Sequence, residues 1–226
     1  MIRLPVIVVS VGLTFLSLVG CHSIHSAAVR DLLQKEGTKI DLSLSRGALA
    51  ELCTRHQAVI VEGIGGGLLP AGIARVESAY RQHKPSTPSA EVDAAVRAFR
   101  DTLAELAPQP WTISIDGAQM TDEFLLVEVL NIRSVGPNLV FAPDASPSDG
   151  YFDVITAQET DRTQIETYFE QRLAGRDTRL ALPRQRARHV SITSCTEMHI
   201  DDERIDTCAL GPISIEIAHA AISVLL

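Results

Sequence analysis

From Trp111 onward the hydrophobic period of the chain is mainly two, with one helical stretch intervening at 161–174. Trp111, Ile113 and Ile115 alternate with polar neighbours as far as an Asp116-Gly117 turn. The runs FLLVEVLNI (124–132), LVF (139–141), YFDVI (151–155), HVSIT (189–193), EMHIDDERI (197–205), PISIEI (212–217) and AISVLL (221–226) follow it. Successive side chains of a strand point to opposite faces, so these runs read as strands with at least one buried face. Many short strands at regular spacing, separated by turn residues, hide their apolar faces by packing sheet on sheet. An antiparallel β-sandwich is therefore expected. With only 6 Phe, 3 Tyr and 1 Trp, its core must be built mainly from Val, Ile and Leu.

Helical periodicity occurs in three places. Residues 71–82 read as a helix that follows QAVIVEGIGGGLLP (57–70), itself read as a buried strand, a glycine turn and a helix start. Val92, Ala95, Val96, Phe99, Leu103 and Leu106 then form a stripe of period 3.6, with Ser89 as the expected N-cap and Pro108 and Pro110 as the stop. A third helix is expected over 161–174, ended by Gly175. The fold class is thus α+β, an antiparallel sandwich lobe with two or three flanking helices. It divides into a short leader (1–21), a partial α/β connector (22–56) and the lobe itself (57–226).

Composition narrows the function. A net charge of −8 lacks the basic footprint of a nucleic-acid binder. The four cysteines, Cys21, Cys53, Cys195 and Cys208, form no CxxC pair and no zinc spacing. HExxH, GxSxG and GxxxxGKS do not occur, and Leu68 stands where a dinucleotide loop would place its third glycine. At the N-terminus, Arg3, an apolar run and Leu18-Val19-Gly20-Cys21 have the form of a bacterial lipoprotein signal, in which Cys21 is the lipid anchor. A buried β-α segment accounts for the same residues, and the sequence leaves both readings open.

Residues 145–155, ASPSDGYFDVI, place an Asp-Gly turn before a strand that carries a further acid, Asp153, two residues past Tyr151. On local grounds this is a solvated strand end, with Asp153 either supporting a cation site or lying at a sheet edge. Taken in order, VEGIGGGLLP, WTISIDG, APDASPSDGYFDVI and MHIDDE resemble the C-terminal lobe of the diacylglycerol kinase catalytic family, over roughly residues 40–226. These are lipid kinases that transfer phosphate from ATP to a lipid hydroxyl. The resemblance implies a structural Mg²⁺ ligated by the Asp149 carboxylate and by backbone oxygens of Ser146 and Tyr151. It also implies that Glu203, in IDDE where the family has VDGE, is the general base. Asp202 stands in place of the family's glycine. The GGDGT-type loop that holds ATP phosphates in the family does not occur, so ATP binding is not expected in this chain. SLVGCHSIHSA (17–27) faintly resembles the neighbouring GTxN element, which makes a nucleotide-lobe remnant a further reading of the leader.

The expected function is that of a truncated lipid kinase-like protein, inactive alone. Its partners would be a lipid or membrane surface and a separate nucleotide-binding chain. The alternative is a lipid-anchored envelope protein that binds lipid or a protein without catalysis. Location follows the same division, envelope membrane or cytoplasm. Arg184, Arg186 and Arg188 fall on one face of an extended segment, as a solvated edge or as a patch for anionic headgroups. If 197–205 is one strand, Cys195 and Cys208 lie about 20 Å apart, and two free thiols are expected.

Overall fold

The computed structural model describes residues 2–11, 58–60, 62–201, 203–208 and 211–224. Its strands are β1 (Ile2–Val11), β2 (Ala58–Ile60), β3 (Gly63–Gly67), β4 (Gln109–Ile115), β5 (Ala118–Phe124), β6 (Leu126–Leu130), β7 (Ser134–Val135), β8 (Leu139–Val140), β9 (Phe152–Ala157), β10 (Arg184–Ala187), β11 (His189–Thr193), β12 (Glu197–Ile200), β13 (Glu203–Asp206) and β14 (Ile213–Val224). Three helices, α1 (Leu68–Gln82), α2 (Pro88–Glu105) and α3 (Arg162–Leu173), complete it. One sheet has the order β2-β1-β14-β11-β4-β5, a second β10-β9-β6-β3-β12-β13, and β7 and β8 form a small ladder. The α+β sandwich expected from the period of two is the observed fold.

The middle of the second sheet, β3 and β6, is buried on both faces, which explains why β6 reads as a continuous apolar run. Val127 and Val129 meet Ile64, Val154, Met198 and Ile200 and, across the interface, Trp111, Ile113, Val190 and Ile215 of the first sheet. Leu126 and Leu130 point the other way, towards Leu68 and Leu69 of α1 and Val96, Phe99 and Leu103 of α2. The molecule is layered as sheet, sheet and helices. Arg162 at the start of α3 donates to the carbonyls of Leu103 and Leu106 and so ties α3 to the end of α2.

Several boundaries differ from the sequence reading. GIGGG is strand β3, not a turn. A Cβ on Gly65 would lie 2.3 Å from the Glu128 carboxyl carbon, and one on Gly66 would lie 2.3 Å from the Trp111 ring. These glycines make room for buried side chains, and only Gly67, with φ 79°, turns the chain into α1. The cap of α2 is Thr87, whose Oγ1 accepts from the Ala90 N–H at 3.3 Å, rather than Ser89. The runs at 212–217 and 221–226 are not separate strands, because Ile213–Val224 is one long strand, β14. β5 was not anticipated, because AQMTDEF is mostly exposed and carries almost no apolar alternation. Within the proposed leader, residues 2–11 form β1, paired antiparallel with β14 and β2. The rest of it, Cys21 included, lies outside the described residues, as does Cys53.

The segment 197–205 is a hairpin. Glu197 pairs with Asp206 and Ile200 with Glu203, so the two strands fold back on each other. Cys195 and Cys208 therefore meet at its open end, with Cα atoms 4.1 Å apart, and form a disulfide. This corrects the expectation of two free thiols.

Candidate functional site

The hairpin that carries Glu203 is fixed by its first turn residue. Asp201 adopts φ 49°, a left-handed conformation that Asp tolerates better than most residues. Its Oδ1 accepts from the N–H groups of Glu62 (2.8 Å) and Gly63 (3.2 Å). Its own N–H donates to the Gly63 carbonyl at 2.9 Å. The left-handed residue is thus Asp201, while Asp202 lies outside the described residues. Glu203 opens β13 and is exposed. Its neighbour Arg204 reaches Glu197 at 2.6 Å and Glu77 of α1 at 3.1 Å, latching β13 to the helical layer.

Beneath the turn lies a pair that sequence reasoning missed. His199 and Glu128 are fully buried, and His199 Nε2 lies 2.9 and 3.0 Å from the two Glu128 oxygens. His199 Nδ1 donates to the Asp201 carbonyl at 2.8 Å. With an acceptor at each ring nitrogen, the imidazole is held protonated. Burial pulls its pKa down, but the Glu128 carboxylate and the hydrogen bonds to Glu128 and Asp201 outweigh this and hold it at about 9. Burial pushes Glu128 up against the opposing pull of His199. The two titrations are therefore coupled. The available signals were a lone acid inside FLLVEVLNI and a histidine in a strand, 71 residues apart.

The Asp149 turn lies at the same end of the second sheet but at its other edge. Asp149 Oδ1 accepts from the Tyr151 N–H at 3.0 Å, and Oδ2 pairs with Arg186 Nη2 at 2.5 Å. The Ser146 carbonyl takes the Asp149 N–H at 3.3 Å. Arg186 also lies over the Tyr151 ring, 4.2 Å from its centroid, and Arg188 donates to the Tyr151 hydroxyl at 3.0 Å. Arg184 pairs with Asp144 (3.0 Å) and with the buried Asp153 (2.7 Å). Burial pushes the Asp153 carboxyl up in spite of Arg184. Asp153 is thus an ion-paired residue of β9.

Mg²⁺ seeks an octahedral shell of oxygens. Here both oxygens of the only expected side-chain ligand already serve N–H donors, one of them on a guanidinium. Among the described residues no group of three or more His, Cys, Asp or Glu side chains gathers to hold a metal. The residues as arranged do not fit Mg²⁺. Nor are Asp149 and Glu203 brought together, since β9 and β13 are four strand positions apart, about 19 Å.

The helical layer contains a cleft of about 570 Å³ between α1, α2 and the β7–β8 turn. Ile73, Val76, Tyr80, Val92, Ala95 and Phe99 line it, with Glu77 and Glu91 among its polar groups. Glu77 is the α1 partner of Arg204, so the cleft and the Glu203 hairpin share an ion pair. Among the described residues no helix is long and apolar enough to cross a membrane.

A two-layer antiparallel sandwich with a helical cover and an acidic hairpin defines the class. Residues 74–226 match the YegS C-terminal NAD kinase beta sandwich-like domain, and the chain belongs to that family. Two diacylglycerol kinases of Mycobacterium tuberculosis, from strains CDC 1551 / Oshkosh and ATCC 25618 / H37Rv, are each 29% identical to it over 130 residues. That match covers 54% of this chain but only 40% of each relative. A crystal structure of a candidate diacylglycerol kinase from Bacillus anthracis str. Sterne shares the fold, with TM-score 0.51 and 19% identity over 72% of this chain and 52% of that one. The resemblance to the C-terminal lobe of the diacylglycerol kinases is thereby established.

Proposed function

We propose that this chain is the lipid-binding lobe of a diacylglycerol kinase-like protein, with the cleft between α1 and α2 taking the apolar part of a lipid. The cleft carries the proposal. It is large, largely apolar and open, and its volume lies in the range of small-molecule sites. The half-buried Ile73, Val76 and Val92 would gain burial from an acyl chain, and each CH₂ removed from water contributes about 0.8 kcal/mol. The lipid hydroxyl would then lie towards the β12–β13 hairpin, whose Arg204 is bonded to Glu77 of the cleft, and Glu203 beside the hairpin turn is the base that the resemblance assigns. Phosphoryl transfer also needs a positioned nucleotide, and the sequence has no GGDGT-type loop. On this reading the 226-residue chain does not phosphorylate lipid alone and acts together with a nucleotide-binding lobe.

The test uses a fluorescent diacylglycerol presented in detergent micelles. The chain is expected to bind it, Val92→Trp to abolish binding by filling the cleft, and Glu203→Gln to bind normally. ATP-dependent phosphorylation is expected to stay at background unless a nucleotide-binding lobe is added. Binding unaffected by Val92→Trp would reject the cleft, and phosphorylation by the chain alone would reject the division of labour.

A further inference from the structure

We propose that Arg186 is the resident cation of the Asp149 turn, so that this turn closes on a guanidinium from the neighbouring strand and needs no divalent ion. Three observations converge on Arg186. Its Nη2 is 2.5 Å from Asp149 Oδ2. Its guanidinium stacks on Tyr151, the residue whose N–H holds the other Asp149 oxygen. It is also delivered by sheet register rather than by a free loop, since Arg186 pairs with Asp153 across the β9–β10 ladder. A planar guanidinium suits this position, because it can bond a carboxylate in its plane and stack on an aromatic ring with its face. Arg184, two residues earlier on the same face of β10, neutralises Asp144 and Asp153 in the same way. Three acids that could have drawn a metal are instead matched by arginines of one edge strand. A divalent ion at Asp149 Oδ2 would compete with Arg186 for that oxygen and would lie beside its positive charge.

The experiment measures the melting temperature of the full chain in EDTA and in millimolar MgCl₂, together with direct Mg²⁺ calorimetry. The wild type is expected to melt at the same temperature in both buffers and to give no binding heat. Arg186→Gln should melt about 2–4 °C lower in EDTA. It should also acquire an Mg²⁺-dependent rise that disappears when Asp149→Asn is added. Arg186→Lys should recover part of the loss, as a point charge without the stacked plane. Mg²⁺ binding by the wild type that Asp149→Asn abolishes would overturn the proposal, as would an Arg186→Gln variant that melts like the wild type in EDTA. Should Arg186→Gln fail to fold, the wild-type calorimetry decides alone.

Discussion

At the residue scale the decisive feature is the proton held between Glu128 and His199. A buried charged pair is stabilising only when every polar atom is engaged. Here the ring nitrogens use Glu128 and the Asp201 carbonyl. The folded imidazole titrates at about 9, above its ordinary 6.5. Because the folded value is raised, this contribution is complete below about pH 6.5 and is lost as pH rises through about 9. The loss is on the order of 3 kcal/mol. Urea unfolding from pH 6 to pH 10 should show it, and the double variant Glu128→Gln/His199→Gln should lack that component of the slope. Superimposable profiles would mean that the pair's titrations are not coupled in the fold. None of this was legible in the sequence. FLLVEVLNI displayed an acid in an apolar run, but its partner is set by β3 lying between β6 and β12. That in turn requires Gly65, where a Cβ would meet the Glu128 carboxyl.

At the element scale the β12–β13 hairpin shows what pattern reading misses. EMHIDDERI reads as one strand because two acids replace the usual turn glycine or asparagine, although Ile205 falls out of phase with Met198 and Ile200 and shares their face only once the chain folds back. The reversal is fixed by tertiary hydrogen bonds from Glu62 and Gly63 to Asp201. HVSIT, by contrast, matched strand β11 at both ends because its alternation and its burial agree. The hairpin is closed at its other end by Cys195–Cys208, which span 13 residues. A loop of that length constrains the unfolded chain by roughly 3 kcal/mol. Cys195→Ala/Cys208→Ala is therefore expected to lower the urea midpoint clearly, and reductant should lower the wild type to the same value. A wild-type midpoint indifferent to reductant would show that the two sulfurs are not joined in solution.

At the scale of the whole molecule the sandwich was legible and the placement of its sites was not. Alternation identifies which faces are apolar, but the order of strands in a sheet follows from how the faces pack. APDASPSDGYFDV and MHIDDE carry the resemblance together, yet the sheet order sets them at opposite edges. Energetic coupling should follow this geometry. Asp149 and Arg186 share an ion pair at 2.5 Å, whereas Arg204 is bonded to Glu77 and Glu197 at the far edge. Residues more than about 7–10 Å apart without shared partners behave additively within about 0.5 kcal/mol. In unfolding free energy, Asp149→Asn combined with Arg204→Gln is expected to equal the sum of the single changes within that margin. Asp149→Asn combined with Arg186→Gln should fall short of additivity by about 0.5–1 kcal/mol, the scale of a partly exposed ion pair. Strong coupling between Asp149 and Arg204 would mean that the two edges communicate through the sheet. No coupling between Asp149 and Arg186 would mean that their contact contributes nothing to stability, and the basis for a resident guanidinium at the Asp149 turn would be lost.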